Sequence, residues 1–368
     1  MTFAVDLSHA GARRDGGERL RWLRRSFGPV LPCARPAGMV VLSAELARQA
    51  LADPARYSSS IMAGADAYLL GADGPAHRQA RRGVLASLRA PADPAGVVRS
   101  GARARRLVGR FVAAGGGEAV TVLARPLAQL AAARVIGVSV PTIRGLARWA
   151  QAAVGAATGG STAAPADVAA LSAQATADVR AALLAGGRRP GSLLDLTGTA
   201  VADGTLSLDA AVEIVLLVAL ATLDTTTALL AACLHELASA QPVAVPDEVV
   251  AAVLAARSPV RFVRRVATET HTLGGTAIGA GQPVLVHLRA SADDLPPADA
   301  GRLAFGAGPH ACPGASLARA VAVATVAACA GAWLTLNGPP TNADSVQIDG
   351  YARLPLRAAR RPGPWEPR

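Results

Sequence analysis

Phe305-Gly306-Ala307-Gly308-Pro309-His310-Ala311-Cys312-Pro313-Gly314-Ala315-Ser316-Leu317-Ala318-Arg319 is the stretch whose reading decides the fold. Gly306 and Gly308, two residues apart, permit a tight backbone excursion that other residues resist. Cys312 then stands where a helix is expected to start, with Pro313 at the first helical position. Backbone N–H groups and the positive end of the helix dipole at that point favour thiolate over thiol, which prepares the sulfur for metal ligation. A single cysteine at a helix start is more often buried and inert, so its neighbours have to discriminate.

Upstream, Ser207 is placed to cap a very long apolar helix from Leu208 to about Ala238, roughly 45 Å in length. Its middle reads Ala221-Thr222-Leu223-Asp224-Thr225-Thr226. Mid-helix threonines usually bond back to their own carbonyls and an acid there pairs locally, so this run alone is ambiguous. Its apolar core, Ile214 to Leu223, is too short to span a bilayer. His77 and Arg81 follow the turn Asp73-Gly74-Pro75, where Asp can cap a helix, and their i,i+4 spacing puts both on one face.

The remaining pattern is mostly helical. A helix from Glu18, a strand around Met39 to Leu42 and a helix from Ala44 open the chain, and Gly155 to Pro165 reads as a flexible connection. After Pro259 the period changes: Val260 to Val266 and Gln282 to Leu288 read as strands about a Gly274-Gly275 turn. No repeat and no clear linker divides the chain, so one mainly α domain with a small β region (α+β) is expected over residues 1–368.

Composition narrows the function. With 51% hydrophobic and 17% charged residues the chain has material for a large core. All 37 basic side chains are arginine, a bias consistent with GC-rich coding, and the formal charge is +11. Aromatics are only 3% and the arginines are scattered, which argues against nucleic acid and leaves a solvated basic surface or a docking face for an acidic protein. Cys33, Cys233, Cys312 and Cys329 form no C-x-x-C pair, which disfavours zinc and a disulfide framework. Neither a signal peptide nor a membrane anchor is visible near Met1, and a cytoplasmic setting is expected.

The cysteine segment matches the haem-binding signature of the cytochromes P450, F-G-x-G-x-H-x-C-x-G-x-x-L-A-R, at every specified position, and the rest of the chain resembles that family in order. The resemblance implies the cytochrome P450 fold, with a long central helix over haem b (iron protoporphyrin IX). It makes Cys312 the axial ligand, sets Phe305 beside the thiolate, and gives His310, His77, Arg81 and Arg265 to the haem propionates. Gly306, Gly314 and Ala221 complete the expected haem contacts. Asp224 and Thr225 match the acid and alcohol that deliver protons during oxygen activation, while Thr222 stands where the family has glycine.

By the same resemblance Val260 and Phe262 are candidate substrate contacts. The resemblance also implies electrons from NAD(P)H through ferredoxin reductase and ferredoxin, and a small or medium organic substrate such as an intermediate of specialised metabolism, with no nucleic acid or membrane partner. One hallmark is absent: the E-x-x-R positions fall on Ala252 and Ala255, or on Leu254 if Arg257 is the motif arginine. The meander from Asp293 to Phe305 is also short, so an apolar repacking of this region is expected. These departures keep a non-redox cyclase or isomerase open as an alternative. A non-catalytic P450-like module is disfavoured by the joint retention of Cys312, Asp224 and Thr225.

Overall fold

Each change of period in the sequence becomes a change of element. The computed structural model describes residues 4–8, 17–60, 69–92, 94–158, 164–240 and 245–361. The chain opens with β1 (Val5–Asp6), α1 (Glu18–Phe27), β2 (Val30–Arg35), β3 (Ala37–Val41), α2 (Ala44–Ala52) and β4 (Tyr57–Ser58). A largely helical stretch follows: α3 (Gly74–Ala92), α4 (Pro94–Ala113), strand β5 (Gly116–Glu118), a π turn (Val120–Ala124) running into α5 (Arg125–Ile136), α6 (Val140–Thr158), α7 (Pro165–Leu184), α8 (Leu193–Ala202), α9 (Leu208–Ala240) and α10 (Pro246–Ala256). Then come β6 (Phe262–Ala267), β7 (His271–Leu273), β8 (Thr276–Ile278), β9 (Pro283–His287), α11 (Leu288–Ser291), α12 (Pro297–Leu303), α13 (Ala315–Ala328), β10 (Ala332–Leu336), β11 (Thr341–Asn342), β12 (Tyr351–Arg353) and β13 (Pro355–Arg360).

Helix α9 organises the rest. Ser207 Oγ accepts the Ala210 N–H at 3.1 Å and starts it, as its sequence suggests. Its 33 residues run about 50 Å and pack against α5, α6, α7, α10 and α13, so its apolar side chains form the middle of the main core. It is the one helix among the described residues long and apolar enough to cross a membrane, and 56% of that stretch is buried inside the protein.

The largest sheet has apolar clusters of its own beside the main helical core. Six strands pair in the order β1-β2-β3-β9-β6-β4, with Met39 to Val41 beside Val284 to Val286 and Phe262 to Val266 across from His287 to Pro283. Strand β2 lacks an obvious alternating signature and owes its place to pairing with β3. Gly155 to Thr158 form the last turn of α6, so the expected connection starts later, and residues 159–163 lie outside the described residues.

Where the Glu–Arg hallmark is missing, α12 packs onto α10. A Cβ on Gly301 of α12 would lie 3.6 Å from Leu254 Cβ and 3.7 Å from the Ala251 carbonyl. Val250, Val253, Leu254 and Leu303 are buried there, while Ala252 is exposed. This is the apolar repacking the sequence suggested: short side chains let two helices meet where charged ones would need partners.

Candidate functional site

The cysteine loop is built by backbone geometry. Gly306 (φ +74°) and Gly308 (φ +69°) both occupy the left-handed region. Gly308 presses against α2, where a Cβ would fall 2.1 Å from the Leu51 carbonyl oxygen. The Cys312 N–H closes the loop on the Phe305 carbonyl at 2.8 Å. Helix α13 begins at Ala315 with Gly314 as its N-cap, so Pro313 precedes the helix instead of opening it. Consequently the N–H groups that reach the sulfur are those of Gly314 and Ala315.

Cys312 is exposed, whereas Cys33, Cys233 and Cys329 are buried. Its sulfur is open on one side and walled by protein on the others. Burial therefore raises its pKa, against the lowering pull of the Gly314 and Ala315 N–H groups and of Arg81. The helix start by itself does not outweigh desolvation, which corrects the expectation of an intrinsically acidic thiol.

Two histidines and two arginines gather at one edge of this opening. His77 on α3 is buried and its ring stacks on that of His310, centroids 4.0 Å apart and planes 27° from parallel. His310 Nε2 lies 3.0 Å from Asp73 Oδ1 and 3.1 Å from Ser59 Oγ. Asp73 also accepts from Ser58 Oγ (2.7 Å) and the Ser59 N–H (2.9 Å). The carboxylate expected to cap α3 thus holds the loop histidine in place. Arg265 on β6 is buried with its guanidinium donating to the Arg264 carbonyl at 2.7 Å.

The electrostatics tie these groups together. Burial, then the neighbouring His310 and Arg81, push the His77 pKa down to about 4. Burial also lowers Arg265 despite Asp73 nearby, and lowers His310. Arg81 acts on His77 and on Cys312 alike, so the cationic edge adjoins the sulfur. Of the partners here, Ser59 and Asp73 escaped sequence reading, because nothing in their local pattern points to a loop more than 200 residues away.

The middle of α9 faces open space. Ala221 is exposed although α9 is otherwise a core helix. Thr225 Oγ1 donates to the Ala221 carbonyl at 2.6 Å, which fixes the hydroxyl near the same face. At about 100° per residue Thr225 lies within about 40° of Ala221, and Thr222 about 100° away. Burial raises the Asp224 pKa, and Arg125 of α5 and a hydrogen bond from Gln151 of α6 oppose the shift. Neither partner was legible in the sequence.

The two substrate candidates separate. Phe262 is fully buried in the core with Leu31, Val40 and Leu285, so it is removed from the pocket wall. Val260 is half-buried, as is Val263, which alternation puts on the side of β6 shared with Arg265.

These residues fit haem b. An alanine exposed midway along a core helix requires space in front of it, and two arginines with two histidines at one edge suit a group that brings carboxylates there. Cys312, with two N–H donors at its sulfur, is the residue that would ligate the iron of such a group.

No protein-family model and no curated protein matches the sequence. Solved structures do match. CalO2 aligns with a TM-score of 0.82 at 22% identity over 97% of this chain and 99% of its own. P450BioI, in complex with an acyl carrier protein ligated to hexadec-9Z-enoic acid, gives 0.79 at 19% over 95% and 100%. P450 OxyD, involved in the biosynthesis of vancomycin-type antibiotics, gives 0.78 at 22% over 97% and 100%. Superposition along nearly the whole chain agrees with the element order and the cysteine loop: this chain has the cytochrome P450 fold.

Proposed function

We propose that the protein is a haem-thiolate monooxygenase. One observation carries the reading: an exposed Cys312 at the head of α13, edged by His77, Arg81, Arg265 and His310 and accompanied by an open face on α9. Haem b bound there supplies the reductive activation of dioxygen, with one oxygen atom entering the substrate and the other leaving as water. Two electrons from NAD(P)H balance the reaction.

The chain's own groups have separable tasks. Cys312 would ligate the iron; Arg81 and Arg265 would pair with the propionates by charge, and His77 and His310 would hydrogen-bond them. Thr225 positions a hydroxyl beside Ala221, and Asp224, raised in pKa, passes protons inward from the α5–α6 edge marked by Arg125 and Gln151. Val260 and Val263 contact a small or medium organic substrate. An intermediate of specialised metabolism suits the likeness to structures such as OxyD, which is involved in the biosynthesis of vancomycin-type antibiotics.

Electrons arrive through a ferredoxin and its reductase in the cytoplasm. The arginines are dense in one stretch of the chain: α3 and α4 together contain nine and no acidic residue. Arg78, Arg82, Arg103, Arg105, Arg106 and Arg110 are exposed, a surface suited to an acidic protein. A carrier protein of the kind bound to P450BioI would meet the same charge.

Thr222 and the lost Glu–Arg pair favour one second reading, a non-redox cyclase or isomerase. The test is turnover with and without oxygen and reductant. Dependence on both, with loss in a Thr225→Ala, Asp224→Asn double variant, is expected. Anaerobic turnover without electrons would overturn the assignment, as would a reduced, carbon-monoxide-treated protein without the red-shifted Soret band of thiolate ligation.

A further inference from the structure

The segment that leads from α10 to the propionate-binding strand is fastened by a network unrelated to the missing pair. Arg257 Nη2 lies 3.0 Å from Asp349 Oδ1 and its Nε 3.4 Å from Oδ2, a two-pronged contact. Arg261 Nη2 reaches the same Oδ1 at 3.0 Å. One carboxylate therefore bridges two arginines on either side of Ser258-Pro259-Val260.

The backbone repeats the stitch. The Asp349 N–H donates to the Pro259 carbonyl (2.9 Å), the Arg261 N–H to the Gln347 carbonyl (2.8 Å), and Val260 bridges Ile348. Ser258 Oγ donates to the Val260 carbonyl at 2.6 Å and contacts that of Ala304, the residue before Phe305, at 3.4 Å. On the other side Arg257 donates to the Tyr351 hydroxyl and lies 4.6 Å over its ring, against which His235 of α9 stacks at 5.2 Å. The central helix, the end of α10, the start of β6 and the cysteine loop meet at this knot.

We propose that Asp349 is a positioning residue of the haem site: by gripping Arg257 and Arg261 it sets β6, and with it Arg265, against the Cys312 loop, in place of the absent Glu–Arg pair. The side chains of Arg261 and Asp349 are 11% and 15% exposed, so the grip on Arg261 is largely dry and its loss removes a buried charge partner from that guanidinium. Arg261 directly precedes β6 and stands four positions before Arg265, so a shift at the start of the strand is carried along it to Arg265.

The inference rests on the haem-thiolate reading, and the experiment separates the two. Holoprotein carrying Asp349→Asn, Arg265→Ala or both is mixed with excess apomyoglobin and the rate of haem transfer is followed. Each single variant is expected to speed transfer on the order of tenfold or more. In the Asp349→Asn background Arg265→Ala should add little, because both remove one positioned guanidinium. Unchanged transfer in Asp349→Asn, or effects that multiply fully, would overturn the proposal. Should Asp349→Asn not fold, Arg257→Lys, which keeps the charge and loses the two-pronged contact, takes its place. Should the wild type take up no haem, the haem-thiolate reading fails by itself. The grip is then judged by amide hydrogen exchange of the apoprotein: Asp349→Asn must speed exchange at β6 and at Cys312 over that of α4, and equal exchange refutes it.

Discussion

Gly308→Ala should cripple the cysteine loop, while Gly306→Ala should be tolerated, although both glycines belong to one motif and share a left-handed backbone. A side chain in that conformation costs about 1–2 kcal/mol at either position. At Gly306 that is the whole penalty, because the nearest neighbour of an added Cβ is Ala311 Cα at 4.0 Å. At Gly308 the Cβ would stand 2.1 Å from the Leu51 oxygen, 2.8 Å from its carbonyl carbon and 2.9 Å from Ala52 Cα. All three are backbone atoms of α2, which no rotamer change relieves. Overpacking of that kind adds about 1–3 kcal/mol, giving about 2–5 kcal/mol in total. Urea unfolding of the apoproteins measures the difference, and haem content after reconstitution reports whether the loop still presents Cys312. Equal destabilisation of the two variants, or a Gly308→Ala protein with wild-type stability, would refute the close-approach argument.

Asp224→Asn should stabilise the fold at neutral pH. Burial raises the Asp224 pKa above its unfolded value, so the folded state binds the extra proton and loses stability as pH rises through that window. The gain over wild type is therefore expected at pH 7 and should vanish near pH 3.5 in paired thermal melts. Pro313→Leu adds an N–H beside a sulfur already served by Gly314 and Ala315, so its iron should show a higher reduction potential than wild type in redox titration. Charge reversal at Arg78, Arg82, Arg103 and Arg106 should slow reduction by an acidic ferredoxin and flatten its dependence on ionic strength, measured by stopped flow, while leaving the folded far-ultraviolet spectrum unchanged.

What the sequence by itself determined is what local rules govern. The signature Phe305 to Arg319 singled out Cys312 as the candidate ligand, the Ser207 start and the unbroken apolar run predicted α9 to within two residues at its end, and His77 with Arg81 shared a helical face by spacing alone. These features depend on backbone conformation and short-range periodicity, which the chain carries wherever it lies.

Tertiary structure decided the rest. That Asp73 holds His310 instead of capping α3, that Phe262 turns into the core and Val263 toward Arg265, and that Gly308 lies against Leu51 all depend on segments brought together across the fold. The fate of the missing Glu–Arg pair was half legible. Apolar residues at Ala252, Leu254 and Ala255 foretold repacking, yet only the packed chain placed α12 on α10 and moved the polar fastening to Asp349. The Cys312 pKa makes the same point: a helix start lowers it locally, but the protein closing around the sulfur raises it more, and desolvation is a property of three dimensions.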